Sequence, residues 1–229
     1  MKKLLPLIVL MAIAAVAYGF VALWPREAAV NPDPNHTHVD FAVWVDAPGS
    51  PEGSSVLEMI DFSATKYMSD SSDAEKEGEH PHEHLHPYLH LHDGNGHVIH
   101  RHKPGLTLGE FFTSIGAKMG KTTTDAGRTL AADCFEWEDL AGQHNSRCSG
   151  EWGHTLHMLV NGKEVAYDPE YVFKDGDAIL IVFAKDDADV QRALGELTHD
   201  ACLYSKTCPW RGEPPAEGCI ADPTVPCTE

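Results

Sequence analysis

The sequence predicts an α+β domain with a mixed β-sheet and one packing helix, set between an N-terminal membrane anchor and a disulfide-stapled C-terminal tail. Three observations carry this. Apolar residues alternate with polar ones at 36–46, 56–62, 87–102 and 155–165, and a continuous apolar run covers 177–184; helical spacing occurs only at 107–117 and 186–197. Residues 4–24 hold no charge. Of the 6 Cys, four crowd the last 28 residues.

The uncharged run of 21 residues covers roughly 30 Å as a helix, enough to cross a hydrocarbon core. Lys2 and Lys3 precede it and Trp24 closes it, so the positive-inside rule puts everything beyond Trp24 outside the cytoplasm. Ala15-Val16-Ala17 also spells a signal-peptidase site. The run continues well past Ala17, which favours an uncleaved anchor over residues 1–24; both alternatives export the chain. Residues 25–35 carry three prolines and read as a linker, 36–198 as the ectodomain, and 199–229 as a Cys-rich tail.

An even cysteine count in an exported chain points to structural disulfides. Local pairing predicts Cys134–Cys148 and two bridges among Cys202, Cys208, Cys219 and Cys227, with three connectivities open. With 17 Lys+Arg against 35 Asp+Glu, the chain lacks the basic face that phosphate binding requires, so no nucleic-acid partner is expected.

Taken in order, Val39, Phe41, Val43 and Val45 make the apolar face of a first strand. Pro48-Gly49 turns the chain, and 56–62 returns as a second strand. Residues 69–80 are acidic, without periodicity, and read as a loop. Segments 87–93 and 97–102 flank Asp93-Gly94-Asn95-Gly96, which suits a type I turn with a G1 bulge at Gly96 and sets His90 opposite His100. Thr107 and Glu110 form a capping box for a helix to about Ala117. Residues 118–153 read as an irregular insertion tied by Cys134–Cys148. A hairpin at 155–165 turns on Asn161-Gly162; 177–184 is apolar on both faces and hence central; Asp186 caps a last helix.

Strand, strand, helix, strand, short strand, strand is the order of a β-grasp (ubiquitin-like) domain, over 88–185, with 36–62 as an added N-terminal strand pair. Thr107-Leu108, Phe111-Phe112, Ile115-Gly116, Leu159-Val160-Asn161-Gly162-Lys163 and Asp175-Gly176-Asp177-Ala178-Ile179 resemble the small sulfur carriers ThiS and MoaD. That resemblance implies the fold alone. The carriers end in Gly-Gly after their last strand, whereas Ala184-Lys185-Asp186 follows here. His36-Thr37-His38-Val39-Asp40-Phe41 and the segment His90 to Gly96 also resemble a group of exported His-rich proteins, some labelled protein disulfide isomerase; this chain holds no C-x-x-C.

The 15 histidines carry the functional signal. The hairpin register puts His90, His92, His100 and His102 on one face and Leu89, Leu91 and Ile99 on the other. His36, His38 and Asp40 likewise share a face of the first strand. Cross-strand neighbours lie ~5 Å apart, close enough for imidazoles to share a metal at ~2.0–2.1 Å per nitrogen. If the two strands are neighbours, His36, His38, Asp40, His90, His92, His100 and His102 form one surface suited to Zn²⁺ or Cu²⁺, with Asp40 a ligand or the acceptor orienting one. A pH-responsive surface and a plain solvated face are the alternatives. His80, His82, His84 and His86 read as a flexible scavenging segment or a polar loop. No nucleophile or phosphate-loop motif is spelled. The sequence therefore predicts an anchored, extracytoplasmic metal-binding protein acting as buffer, chaperone or sensor; a metalloenzyme with an open His-ligated site and a cell-surface interaction module are the competing classes, with no protein partner specified.

Overall fold

The alternation of Val39, Phe41, Val43 and Val45 against Ala42 and Trp44 produces strand β1 (Thr37–Asp46), buried along its whole length. In the computed structural model, residues 29–33, 35–46, 56–68, 86, 88–91, 94–120 and 133–213 are described. On one edge, β1 pairs antiparallel with β2 (Leu57–Met59) through its C-terminal half and with β4 (Val98–Arg101) through its N-terminal half. On the other it runs parallel to β10 (Ala178–Ala184), from Asp40↔Ala178 to Trp44↔Val182. Beyond these lie β3 (Leu89–His90) outside β4, and β8 (Thr155–Val160) and β9 (Lys163–Val165) outside β10, giving the order β3-β4-β1-β10-β8-β9. The β8–β9 turn places Asn161 and Gly162 both at positive φ, 53° and 73°, as a two-residue hairpin of type I′ requires. The molecule is thus α+β with a mixed sheet.

The strand expected to lie outside the main unit occupies its centre instead. The physical reason is in its second face. Ala42 and Trp44 pack with Leu180 and Val182 of β10, so β1 is apolar on both sides and belongs where both faces of the sheet are covered, in its interior.

One face of the sheet is covered by α1 (Leu108–Ser114), whose Phe111 and Phe112 pack on Phe41. The capping box forms as spelled: Thr107 Oγ1 accepts from the Glu110 N–H, and Glu110 accepts from the Thr107 N–H. The helix ends before Ala117 because Gly116 turns left-handed at φ 75°, its N–H going to Thr113 O and that of Ala117 to Phe112 O. The expected irregular insertion is partly a second antiparallel sheet, β5 (Lys118–Met119), β6 (Cys134–Glu138) and β7 (His144–Cys148), in register Cys134↔Cys148 with the disulfide across it. Its Phe135 and Trp137 enter the same core as α1. Polar β7 has no apolar alternation; the backbone ladder and disulfide to β6, together with the Arg147–Asp46 ion pair to β1, hold it in place.

The opposite face is covered by α2 (Asp187–Gly195) and α3 (Ala201–Tyr204). Asp186 caps α2 by accepting from the Asp189 N–H, and Val190 and Ala193 pack over Ala42, Trp44, Leu180 and Val182. Ala201 and Tyr204 pack on Val98, and a second disulfide joins Cys202 to Cys208.

In the β3–β4 connection, His90↔His100 pair as expected, but Gly94 holds the left-handed conformation (φ 68°) and Gly96 does not. Gly96 serves close approach: a Cβ there would stand 2.4 Å from Ser63 N. No described helix is long and apolar enough to cross a membrane. The expected anchor at 4–24, the 69–80 loop, His80, His82, His84, His92, Asp93, Cys219 and Cys227 lie outside the described residues.

Candidate metal centre

Strand alternation and register bring the histidines together. β1 aims His38 at the face opposite Val39 and Phe41, with His36 just before the strand; β4 presents His100, with His102 just after it; β3 presents His90. The pairings His38↔His100 and His90↔His100 line three imidazoles across three adjacent strands. Ring centroids then run His36–His38 4.3 Å, His38–His100 4.9 Å, His100–His90 6.2 Å, His90–His102 4.8 Å and His102–His36 4.1 Å. Five imidazoles therefore form a closed ring at one end of the sheet. His38, His90, His100 and His102 are all 5% exposed or less, and His36 is half-buried.

Within that ring, one nitrogen each from His36, His38 and His100 lie within 4.8 Å of one another. Ligands at 2.0–2.1 Å around a tetrahedral ion stand ~3.3 Å apart, so shifts of about 1 Å close the triangle on a metal. The neighbouring His102 and His90 face each other through Nε2, 3.2 Å apart. An all-imidazole donor set suits Zn²⁺ or Cu²⁺.

The C-terminal segment roofs the ring. Tyr204 lies against His38 at 5.6 Å and edge-on to His100 at 4.9 Å between ring centroids, and its hydroxyl accepts from Asn95 Nδ2 at 2.9 Å. Ser205 Oγ stands 2.9 Å from His38 Nδ1 and donates to Asp175 Oδ1 at 2.5 Å.

Asp40 departs from expectation. It shares the face of His38, yet its Oδ1 accepts from the N–H groups of Asp200 (2.6 Å) and Ala201 (3.1 Å) and from the Thr198 hydroxyl (3.2 Å), not from an imidazole. It holds down the start of α3. Burial pushes its carboxyl up to about 6, outweighing the donors from Ala201, Asp200 and Thr198 that favour the ionised form.

The other described histidines stand apart. His154 stacks on Phe183 at 4.7 Å, His157 pairs with Glu164, His144 lies beside Glu138, and His86 accepts from the Tyr88 N–H. Burial pushes His86 below the ordinary histidine range.

Sequence reasoning missed Tyr204, Ser205, Asp175 and Asn95. For the first two a signal existed: they lie between the bridged Cys202 and Cys208. Asp175 gave none, since Asp-Gly-Asp reads as an ordinary turn. Comparison of the chain with protein-family models, curated proteins and solved structures finds no match.

Proposed function

We propose that the protein binds a divalent transition metal, Zn²⁺ or Cu²⁺, through His36, His38 and His100, on an extracytoplasmic domain tethered by residues 4–24. The observation that carries this is the convergence of three imidazole nitrogens within 4.8 Å, inside a ring of five. A solvated polar face predicts imidazoles spread into water; two of these three are no more than 1% exposed. That shelter favours a slowly exchanging carrier or sensor over a rapid buffer.

Export is supported by the lysine-flanked apolar run and by two described disulfides, bonds that persist in oxidising compartments. A β-grasp-like plan is supported by the parallel pairing of β1 with β10, with α1 between them in sequence.

The test is the metal content of the full-length chain, purified in detergent without a His tag, against a His36→Ala/His38→Ala/His100→Ala variant and a His157→Ala control. Near-stoichiometric zinc or copper in the parent and the control, lost in the triple variant, is the expected result. A metal-free parent that also ignores micromolar Zn²⁺ and Cu²⁺ refutes the reading.

A further inference from the structure

We infer that Ser205 and Asp175 are positioning residues of this centre: they hold His38 in the Nδ1–H form, so that Nε2 is its ligand atom. The inference rests on the metal-binding reading for its purpose, and on two hydrogen bonds for its content.

The chain of donors has one solution. Ser205 Oγ is 2.5 Å from Asp175 Oδ1, and a carboxylate only accepts, so the single hydroxyl hydrogen of Ser205 points to Asp175. What Ser205 offers to His38 Nδ1, 2.9 Å away, is therefore a lone pair, and Nδ1 must carry the hydrogen. In the neutral ring the remaining lone pair is on Nε2. The link runs carboxylate, hydroxyl, imidazole, an outer-shell arrangement that fixes a ligand's tautomer and orientation and raises its basicity.

Backbone contacts grip the same residue. Asp175 Oδ1 also accepts the His38 N–H at 3.0 Å, and the Gly176 N–H donates to His38 O at 2.8 Å. Gly176 sits at φ 75°, a conformation that side-chain-bearing residues rarely adopt. The turn before β10 thus clasps His38 at both backbone ends and, through Ser205, at its ring. Ser205 is 1% exposed and lies inside the loop closed by Cys202–Cys208. Tyr204, its neighbour, covers the rings of His38 and His100. The C-terminal segment therefore helps to build the site.

The experiment uses full-length protein in detergent, stripped with EDTA. Long-range proton–nitrogen NMR spectra of the imidazoles read the His38 tautomer directly, and Zn²⁺ is then added as probe to the wild type and Ser205→Ala. The expected wild-type spectrum has His38 protonated at Nδ1 before zinc and coordinated through Nε2 after it. In Ser205→Ala that tautomer preference is lost, the melting transition stays cooperative, and the zinc dissociation constant rises 10–100-fold. A wild-type His38 protonated at Nε2 alone, or a variant whose zinc affinity stays within twofold, overturns the inference. The tautomer is read without metal, so a wild type that binds no zinc refutes the function while the spectrum still judges the lock. The wild-type spectrum also stands if the variant fails to fold.

Discussion

Replacing both Cys202 and Cys208 with alanine tests whether the C-terminal loop belongs to the site. The bridge joins residues 6 apart, closing a loop of about seven residues. The chain-entropy relation for such a loop gives ~8 cal/mol/K, or about 2.4 kcal/mol at 25 °C. Without the bridge that entropy returns to the undocked loop, and the proposed zinc binding would have to order Tyr204 and Ser205 again. The ceiling on the loss is therefore about 50-fold in the zinc dissociation constant, since each 1.4 kcal/mol is tenfold. Burial of Ala201 and Tyr204 keeps part of the loop docked, so a loss of roughly 5–50-fold is expected. Alanine is preferable to chemical reduction, because freed thiols would add soft zinc ligands of their own. The assay is competition with a chromogenic chelator on the full-length chain, alongside a thermal melt. If the wild type binds zinc and the double variant matches it within twofold, with an unchanged melt, the loop is not part of the site and the reasoning fails.

Three further outcomes are expected. Asp40 has its carboxyl raised from 3.8 to about 6 in the folded state, so the folded protein binds this proton more tightly than the unfolded chain. Its stabilising contribution is complete below about pH 4 and is lost as pH rises through 6, by roughly 3 kcal/mol. Asp40→Asn keeps an acceptor for Ala201 and Asp200, and should flatten the fall in urea midpoint over that window in metal-stripped protein; an unchanged slope contradicts the assignment. Gly96→Ala drives a Cβ to within 2.4 Å of Ser63 N and should cost ~2–3 kcal/mol in a urea titration, more than the ~1–2 kcal/mol strain at Gly94→Ala, where nothing lies within 4 Å. Thr107→Ala removes the capping box and should lower stability by about 1 kcal/mol while leaving zinc affinity unchanged, because α1 covers the opposite face of the sheet.

Much of the local structure was legible in the sequence. Thr107 with Glu110 announced the start of α1, Asn161-Gly162 the β8–β9 turn, and Asp186 the start of α2. Alternation assigned Leu89, Leu91 and Ile99 to the core and His90, His100 and His102 to the other side. These are short-range rules: a side chain's face follows from its parity along the strand, and a cap from residues three apart. β7 escaped them because His144, Asn145, Ser146 and Arg147 carry no apolar periodicity. Gly96 was read for turn geometry, when its role is the approach of the Phe62-Ser63 backbone.

The sequence by itself therefore determined most strands of the main sheet, the two capped helices, the faces of the His-bearing strands and the kind of donor the histidine cluster offers, since each is written within a few consecutive residues; β5, β6 and β7 were not among them. Tertiary structure alone decided that β1 is central, that Asp40 serves α3, and that His38 meets a serine 167 residues away and, through it, Asp175. Those outcomes depend on which strands become neighbours and which helix closes over them. That choice is made by burying apolar surface across the whole chain, and no local pattern records it.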